Sequence, residues 1–191
     1  MERIRDSLFF THILFGSLSL VLFWIPAFAK KGSGLHIKAG KAYLLTMAVT
    51  VFTAAILSII IISFTDRTAL GLFLGFLSLI TANPLFFGWT AFKPKPWHVK
   101  VQVLIESLIG LYGLILILLG LKVGSGANML FFFFGGLGIL TVLGTLVKAI
   151  KRKPISRQGI SEHVNGMLFS GGAAYTAFLS FGAREVLIDV L

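Results

Sequence analysis

Four histidines are the side chains in this 191-residue chain best suited to bind a metal or a haem. His36, His98 and His163 each come at or near the start of an apolar run, whereas His12 lies inside the first run. Neutral imidazole nitrogens bind zinc and other transition metals, and two imidazoles on facing helices are typical ligands of b-type haem. The chain has no cysteine, which excludes disulfides, thiolate zinc sites and cysteine-bound iron–sulfur clusters.

A second set of polar residues lies within the apolar runs. His98, Gln102 and Glu106 are spaced i, i+4 and i+8, which places them on one face of a helix. Glu106 would lie roughly 12 Å from the start of its run, and Asn83, which precedes Pro84, would lie at a similar depth in the previous run. An intramembrane carboxyl group indicates a functional site by default. The alternative is a protonated Glu106, hydrogen-bonded to Asn83 as its expected partner, that only joins two helices.

Six apolar runs must position these side chains. Each run is about 20 residues or longer, enough to span the ~30 Å hydrocarbon core of a bilayer. The composition agrees, because 57% of the residues are hydrophobic and the mean hydropathy is +0.95. We predict an all-α, polytopic membrane protein: one transmembrane domain over residues 1–191, folded as a bundle of six transmembrane helices. The predicted helices span about residues 7–29, 42–65, 68–92, 98–121, 127–149 and 163–183.

The distribution of positive charge predicts the orientation of this bundle. Of the 17 Lys and Arg residues, 12 fall in the three loops after the first, third and fifth runs, which together we call the basic face. Short loops rich in Lys and Arg stay in the cytoplasm, so both termini are expected outside. The bilayer and its anionic headgroups account for the basic charge, so no nucleic-acid partner is needed. No pattern indicates a protein partner.

Three classes of function are compatible with these residues. The first is a membrane redox or metal protein that uses His36, His98 and His163 to hold a non-haem metal or a b-type haem. The second is a small transporter or channel with a polar path at Asn83, Gln102 and Glu106. The third is a structural or partner-binding subunit whose polar residues only fix helix packing. No motif decides whether the protein is an enzyme.

Residues in the first two runs and in the last run resemble a family of uncharacterised bacterial integral membrane proteins, domain of unknown function 2306. The opening pattern consists of His12, Gly16, Lys31, Gly32, Leu35, His36, Gly40 and Tyr43. The closing pattern consists of His163, Met167, Ala174, Tyr175, Thr176, Ala177 and Phe178. The resemblance implies that His12, His36 and His163 are the histidines of interest. It also implies a location in a bacterial inner membrane, and it implies no established activity.

Topology and this resemblance together predict a shared polar site. The three histidines of the basic face have matching depths, and the family pattern singles out His36 and His163. We therefore expect these two side chains to approach one another, with His98 or Glu162 at the edge of the site. His12 enters from the opposite end of the first helix and is expected to be a separate candidate.

Overall fold

A computed structural model describes residues 2–93, 95–122, 128–151 and 159–182. The described residues contain no strand, which confirms the all-α prediction for them. The helices are α1 (Glu2–Phe28), α2 (Gly34–Phe64), α3 (Thr68–Thr90), α4 (Pro96–Gly120), α5 (Asn128–Ile150) and α6 (Ile160–Ala177), and a π-helical turn (Phe178–Gly182) continues α6. Among them, α1 to α5 are long and apolar enough to cross a membrane.

Helix α2 begins at Gly34, eight residues before the predicted start. Its first turn is stabilised by Ser33, whose hydroxyl oxygen accepts a hydrogen bond from the backbone N–H of His36 at 3.2 Å. Gly32 precedes this cap with a φ of 79°, a conformation that favours glycine. The apolar run therefore marked the part of α2 suited to lipid, and the helix extends beyond it. His36 consequently lies on a helix rather than in a loop.

The helices form an up-and-down arrangement in which α3 is central. Each of α1 to α4 packs against the next helix in the chain, and α6 returns to pack against α3 and α1. Alternating directions bring the C-terminal ends of α1, α3 and α5 to the same side as the N-terminal ends of α2, α4 and α6. The backbone N–H of Gly159, just before α6, donates to the carbonyl of Ala91, just after α3, at 3.1 Å. This side is the basic face.

Two apolar clusters form the interior. One joins α3, α4 and α5, and the other joins α2 and α3 with flanking side chains from α1 and α6. The buried members are Phe73, Phe76, Ile109, Leu116 and Phe131 in the first, and Tyr43, Met47 and Leu85 in the second.

Glycines allow α4 and α5 to approach closely. A Cβ atom added to Gly113 would lie 2.7 Å from the carbonyl oxygen of Gly135, and one added to Gly138 would lie 3.0 Å from the Cα of Gly113. Contacts this short are possible only without side chains, as in other tightly packed membrane helices. Gly136 and Gly144 face open space instead, so only part of the glycine-rich segment of α5 contributes to this contact.

Candidate functional site

His36 and His163 lie side by side at the basic face. Their ring centroids are 6.4 Å apart and the ring planes make an angle of 69°. Both side chains are half-buried. Two helices that are 127 positions apart in the chain therefore contribute one imidazole each to a shared site, which we call the histidine pair.

The register between α2 and α6 positions the histidine pair. Seven residues after each histidine, the hydroxyl groups of Tyr43 and Ser170 form a buried hydrogen bond of 2.8 Å, with the same offset of 127 positions. Seven residues are two helical turns, so on parallel helices the same faces meet again at that spacing. The Tyr43–Ser170 bond thus holds α2 and α6 in the register that places His36 beside His163.

Each ring of the pair is held by a helix terminus. The Nδ1 atom of His36 lies 3.0 Å from the carbonyl oxygen of Pro26, near the end of α1. The Nδ1 atom of His163 lies 2.8 Å from the carbonyl oxygen of Gly88, near the end of α3. Carbonyl groups in the last turn of a helix have no intrahelical N–H partner, so they are open to other donors. The carbonyl of Pro26 also accepts from Nζ of Lys31 at 2.9 Å.

These hydrogen bonds determine which ring nitrogen carries the proton. A carbonyl oxygen can only accept, so Nδ1 of His36 and Nδ1 of His163 must be the donors. In the neutral form of each ring, Nε2 then has a free lone pair. A metal-binding histidine has the same arrangement, with one nitrogen on the metal and the other donating to a carbonyl or carboxylate.

A close crossing of α3 and α6 brings His163 to its carbonyl. A Cβ atom added to Gly166 would lie 2.6 Å from the Cα of Gly88, so the two helices touch through their backbones. His163 is one turn before Gly166 and therefore reaches the carbonyl of Gly88. The ring of Phe92 packs against His163 with the centroids 5.0 Å apart.

His98 is not part of the histidine pair. Its ring, 6% exposed, packs against Trp97 and Phe86, with centroid distances of 4.1 and 5.7 Å. Its Nδ1 accepts from the backbone N–H of Lys95 at 3.0 Å, so in the neutral ring the proton is on Nε2, the reverse of the pair. This bond caps the N-terminus of α4.

The metal site predicted for His36, His98 and His163 does not form. In the described part of the chain, no three His, Asp or Glu side chains are grouped closely enough to hold a metal ion. The physical reason is that α4 and α6 each pack against α3, whereas no comparable packing joins α4 to α6 in the described residues. Glu162, expected at the edge of the site, instead lines a separate groove with Lys148 and Asn165.

His12 lies apart from the pair and joins α1 to α2. Its Nδ1 is 3.1 Å from the carbonyl oxygen of Thr50 and 3.2 Å from the hydroxyl of Thr53. Gly16, one turn further along α1, also faces Thr50, whose side chain would lie 3.5 Å from an added Cβ. The spacing of His12 and Gly16 thus corresponds to one contact surface between α1 and α2.

The intramembrane polar residues form a separate cluster. Glu106 is 4% exposed and Asn83 7% exposed, so both lie in the interior, as expected. One Glu106 oxygen accepts from the side-chain amide of Gln102 at 3.1 Å, and the other accepts from the hydroxyl of Thr145 on α5. The prediction that Asn83 is the hydrogen-bond partner of Glu106 is therefore wrong. The Asn83 side-chain oxygen has no hydrogen-bond partner among the described residues.

The close packing of α4 and α5 explains why Thr145 is the hydrogen-bond partner of Glu106. The glycine contacts draw α5 against α4, and Thr145 extends from α5 to the carboxyl group. In the sequence Thr145 is an ordinary polar residue of an apolar run, and no local pattern distinguishes it.

Sequence reasoning also missed the hydrogen bonds below the pair. The indole N–H of Trp24 donates to the hydroxyl of Tyr175, which donates to the carbonyl of Leu20 at 2.9 Å. Tyr43 and Tyr175 belong to the family pattern, whereas Ser170 and Trp24 do not. The sequence feature that could have indicated Ser170 is its position two helical turns after His163.

No family model, no curated protein and no solved structure matches the chain. The resemblance drawn from the histidine and glycine pattern therefore stays a prediction.

Proposed function

We propose that this protein is a six-span integral membrane protein that performs redox chemistry at a b-type haem ligated by His36 and His163. The observation that supports it is the histidine pair: two imidazoles 6.4 Å apart, each fixed through Nδ1. Both Nε2 atoms have lone pairs in the neutral rings. A haem bound there would supply one-electron transfer.

The number of ligands favours haem over a non-haem metal. Zinc and non-haem iron sites take three or more protein ligands, and the described residues provide no such group. Haem iron needs only two axial ligands from the protein. His36 and His163, with ring centroids 6.4 Å apart, would be the two protein ligands of such a group.

The chain's own groups would hold and tune such a centre. The carbonyl groups of Pro26 and Gly88 orient the two rings and increase the basicity of the ligating nitrogens. Phe92 packs against His163 and limits its rotation. The Tyr43–Ser170 hydrogen bond maintains the distance between the helices that carry the ligands.

The six-span topology rests on α6 in addition to the five longer helices. With 18 residues in α6 and five in the π-helical turn, the continuous helical segment is about 34 Å long at 1.5 Å per residue. We assign the basic face to the cytoplasm, against anionic headgroups, with both termini outside.

Cysteine labelling tests this orientation cleanly, because the chain has no cysteine of its own. A membrane-impermeant thiol reagent added to intact cells should label Thr65→Cys and leave Lys30→Cys unlabelled. The reverse pattern would contradict the orientation and leave the haem proposal untouched.

A structural role is the second candidate function. The hydrogen bonds of Glu106 with Gln102 and Thr145 favour this role for these three residues. Both carboxyl oxygens are occupied by Gln102 and Thr145, which ties α4 to α5. The side-chain oxygen of Asn83, which has no hydrogen-bond partner among the described residues, favours a polar path instead.

The haem proposal is tested by visible spectroscopy of purified protein from cells supplied with a haem precursor. We expect a reduced-minus-oxidised difference spectrum typical of b-type haem and about one haem per chain. His36→Ala and His163→Ala should each abolish it. His98→Gln is the matched control, because its ring has the opposite tautomer, and it should retain the spectrum.

Two results would overturn the proposal. A colourless preparation with an intact helical fold would remove haem and leave the structural candidate. A spectrum lost in His98→Gln but kept in His36→Ala would show that the ligands lie elsewhere.

A further inference from the structure

A groove at the basic face is lined by charges of both signs. It has a volume of about 310 Å³. Its floor is α3, and its sides are the end of α5 and the start of α6. It exists because α5 packs mainly against α4, whereas α6 packs mainly against α3, which separates the two helices at this end.

The lining of the groove is amphiphilic. Lys148 and Glu162 contribute an ammonium and a carboxylate, and Asn165 contributes an amide. Phe87 and Phe169 contribute apolar surface. Lys148 is in the last turn of α5 and Glu162 in the first turn of α6. The charges are therefore at the level of the helix ends, where lipid headgroups lie.

The groove is apolar where Phe169 borders it, because that side chain is 67% exposed. Val147 and Leu168, the sequence neighbours of Lys148 and Phe169, are also exposed. Surfaces of this kind on membrane helices face acyl chains. A ligand entering from this side would thus be an amphiphile with its polar end toward Lys148 and Glu162.

We propose that the groove binds one phospholipid with a primary ammonium in its headgroup, such as phosphatidylethanolamine. Lys148 binds the phosphate, and Glu162 accepts hydrogen bonds from the ammonium, each as a charge-assisted contact. The acyl chains lie against Phe87 and Phe169. An anionic headgroup without the amine would face the Glu162 carboxylate unpaired, and a quaternary choline has no N–H to donate.

The test is competition between headgroups on the purified protein. Native mass spectrometry would measure retained lipid after incubation with equimolar phosphatidylethanolamine, phosphatidylcholine and phosphatidylglycerol of identical acyl chains. We expect one tightly retained molecule, with ethanolamine favoured roughly tenfold over choline, the size expected for one charge-assisted hydrogen bond. Equal retention of all three, or preference for phosphatidylglycerol, would overturn the proposal.

Two variants test which charged side chain binds which part of the headgroup. Glu162→Gln should remove the preference for ethanolamine over choline, and Lys148→Met should lower retention of all three lipids roughly tenfold. Lys151→Met, one turn further at an exposed position, is the matched control and should behave as the unmodified protein. An unchanged preference in Glu162→Gln would contradict the proposal. The headgroup competition on the unmodified protein decides the matter if a variant does not fold.

Discussion

The histidine pair and the Glu106 cluster are both polar groups joining two helices, yet they differ in what they leave unbonded. In the pair, Nδ1 of each ring is used by a carbonyl and Nε2 is left over. In the cluster, both oxygens of Glu106 accept hydrogen bonds from Gln102 and Thr145. A polar group with every atom satisfied fixes packing, whereas one with an oriented spare atom is suited to bind something else.

The contact beneath the pair should give the largest loss of stability. In Gly166→Ala, the new Cβ would meet the backbone of Gly88, so α3 and α6 must separate. Overpacking of this kind costs about 1–3 kcal/mol, and we expect a loss toward the upper end, measured by thermal unfolding in detergent. Gly172→Ala is the control, because that position faces open space. Equal stability of the two variants would show that the helices are not in contact at Gly166.

The cluster should respond to mutation as a closed unit. Thr145→Val leaves one oxygen of the buried Glu106 without its partner and should destabilise the protein by about 1–3 kcal/mol. Adding Glu106→Leu to it should cost less than the sum of the two single changes, because the double variant leaves no unpaired carboxyl oxygen. Additive losses in a double-mutant cycle would contradict the coupling.

Replacing His36 or His98 should have similar effects on stability but different effects on the haem spectrum. His36→Ala and His98→Ala each remove one hydrogen bond at a helix end, so each should cost about 1 kcal/mol by thermal unfolding. Under the proposed function, only His36→Ala should also lose the haem spectrum. If both variants lost it, or neither did, the distinction between the two tautomers would have no functional meaning.

The smallest effect is expected at the hydrogen bond that sets the register of the pair. Tyr43→Phe removes the hydroxyl that bonds Ser170 and should cost about 0.5–1.5 kcal/mol. Thr176→Val is a control on α6, because the hydroxyl of Thr176 bonds only within its own helix. Tyr43→Phe should also broaden or shift the haem spectrum, and Thr176→Val should leave it unchanged.

Hydropathy was sufficient to predict the helices of the described residues and most of their approximate bounds. Those properties depend on local composition, which a sequence displays directly. The start of α2 is the instructive difference. Hydropathy reports which residues suit a bilayer, whereas the helix begins eight residues earlier, at a cap formed by Ser33.

The sequence by itself determined which side chains were unusual: Glu106 within an apolar run, and His36 and His163 at the starts of two helices. Tertiary structure decided their partners, because a hydrogen bond between helices depends on how closely and in which register the backbones pack. Glycine contacts brought Thr145, rather than Asn83, to Glu106.

The protonation pattern of the histidines also belongs to the tertiary structure. The open carbonyls of Pro26 and Gly88 placed the proton of His36 and His163 on Nδ1, and the backbone N–H of Lys95 placed that of a neutral His98 on Nε2. Identical side chains thus have different chemistry, because the tautomer of an imidazole is set by the group that its ring nitrogen meets in the fold.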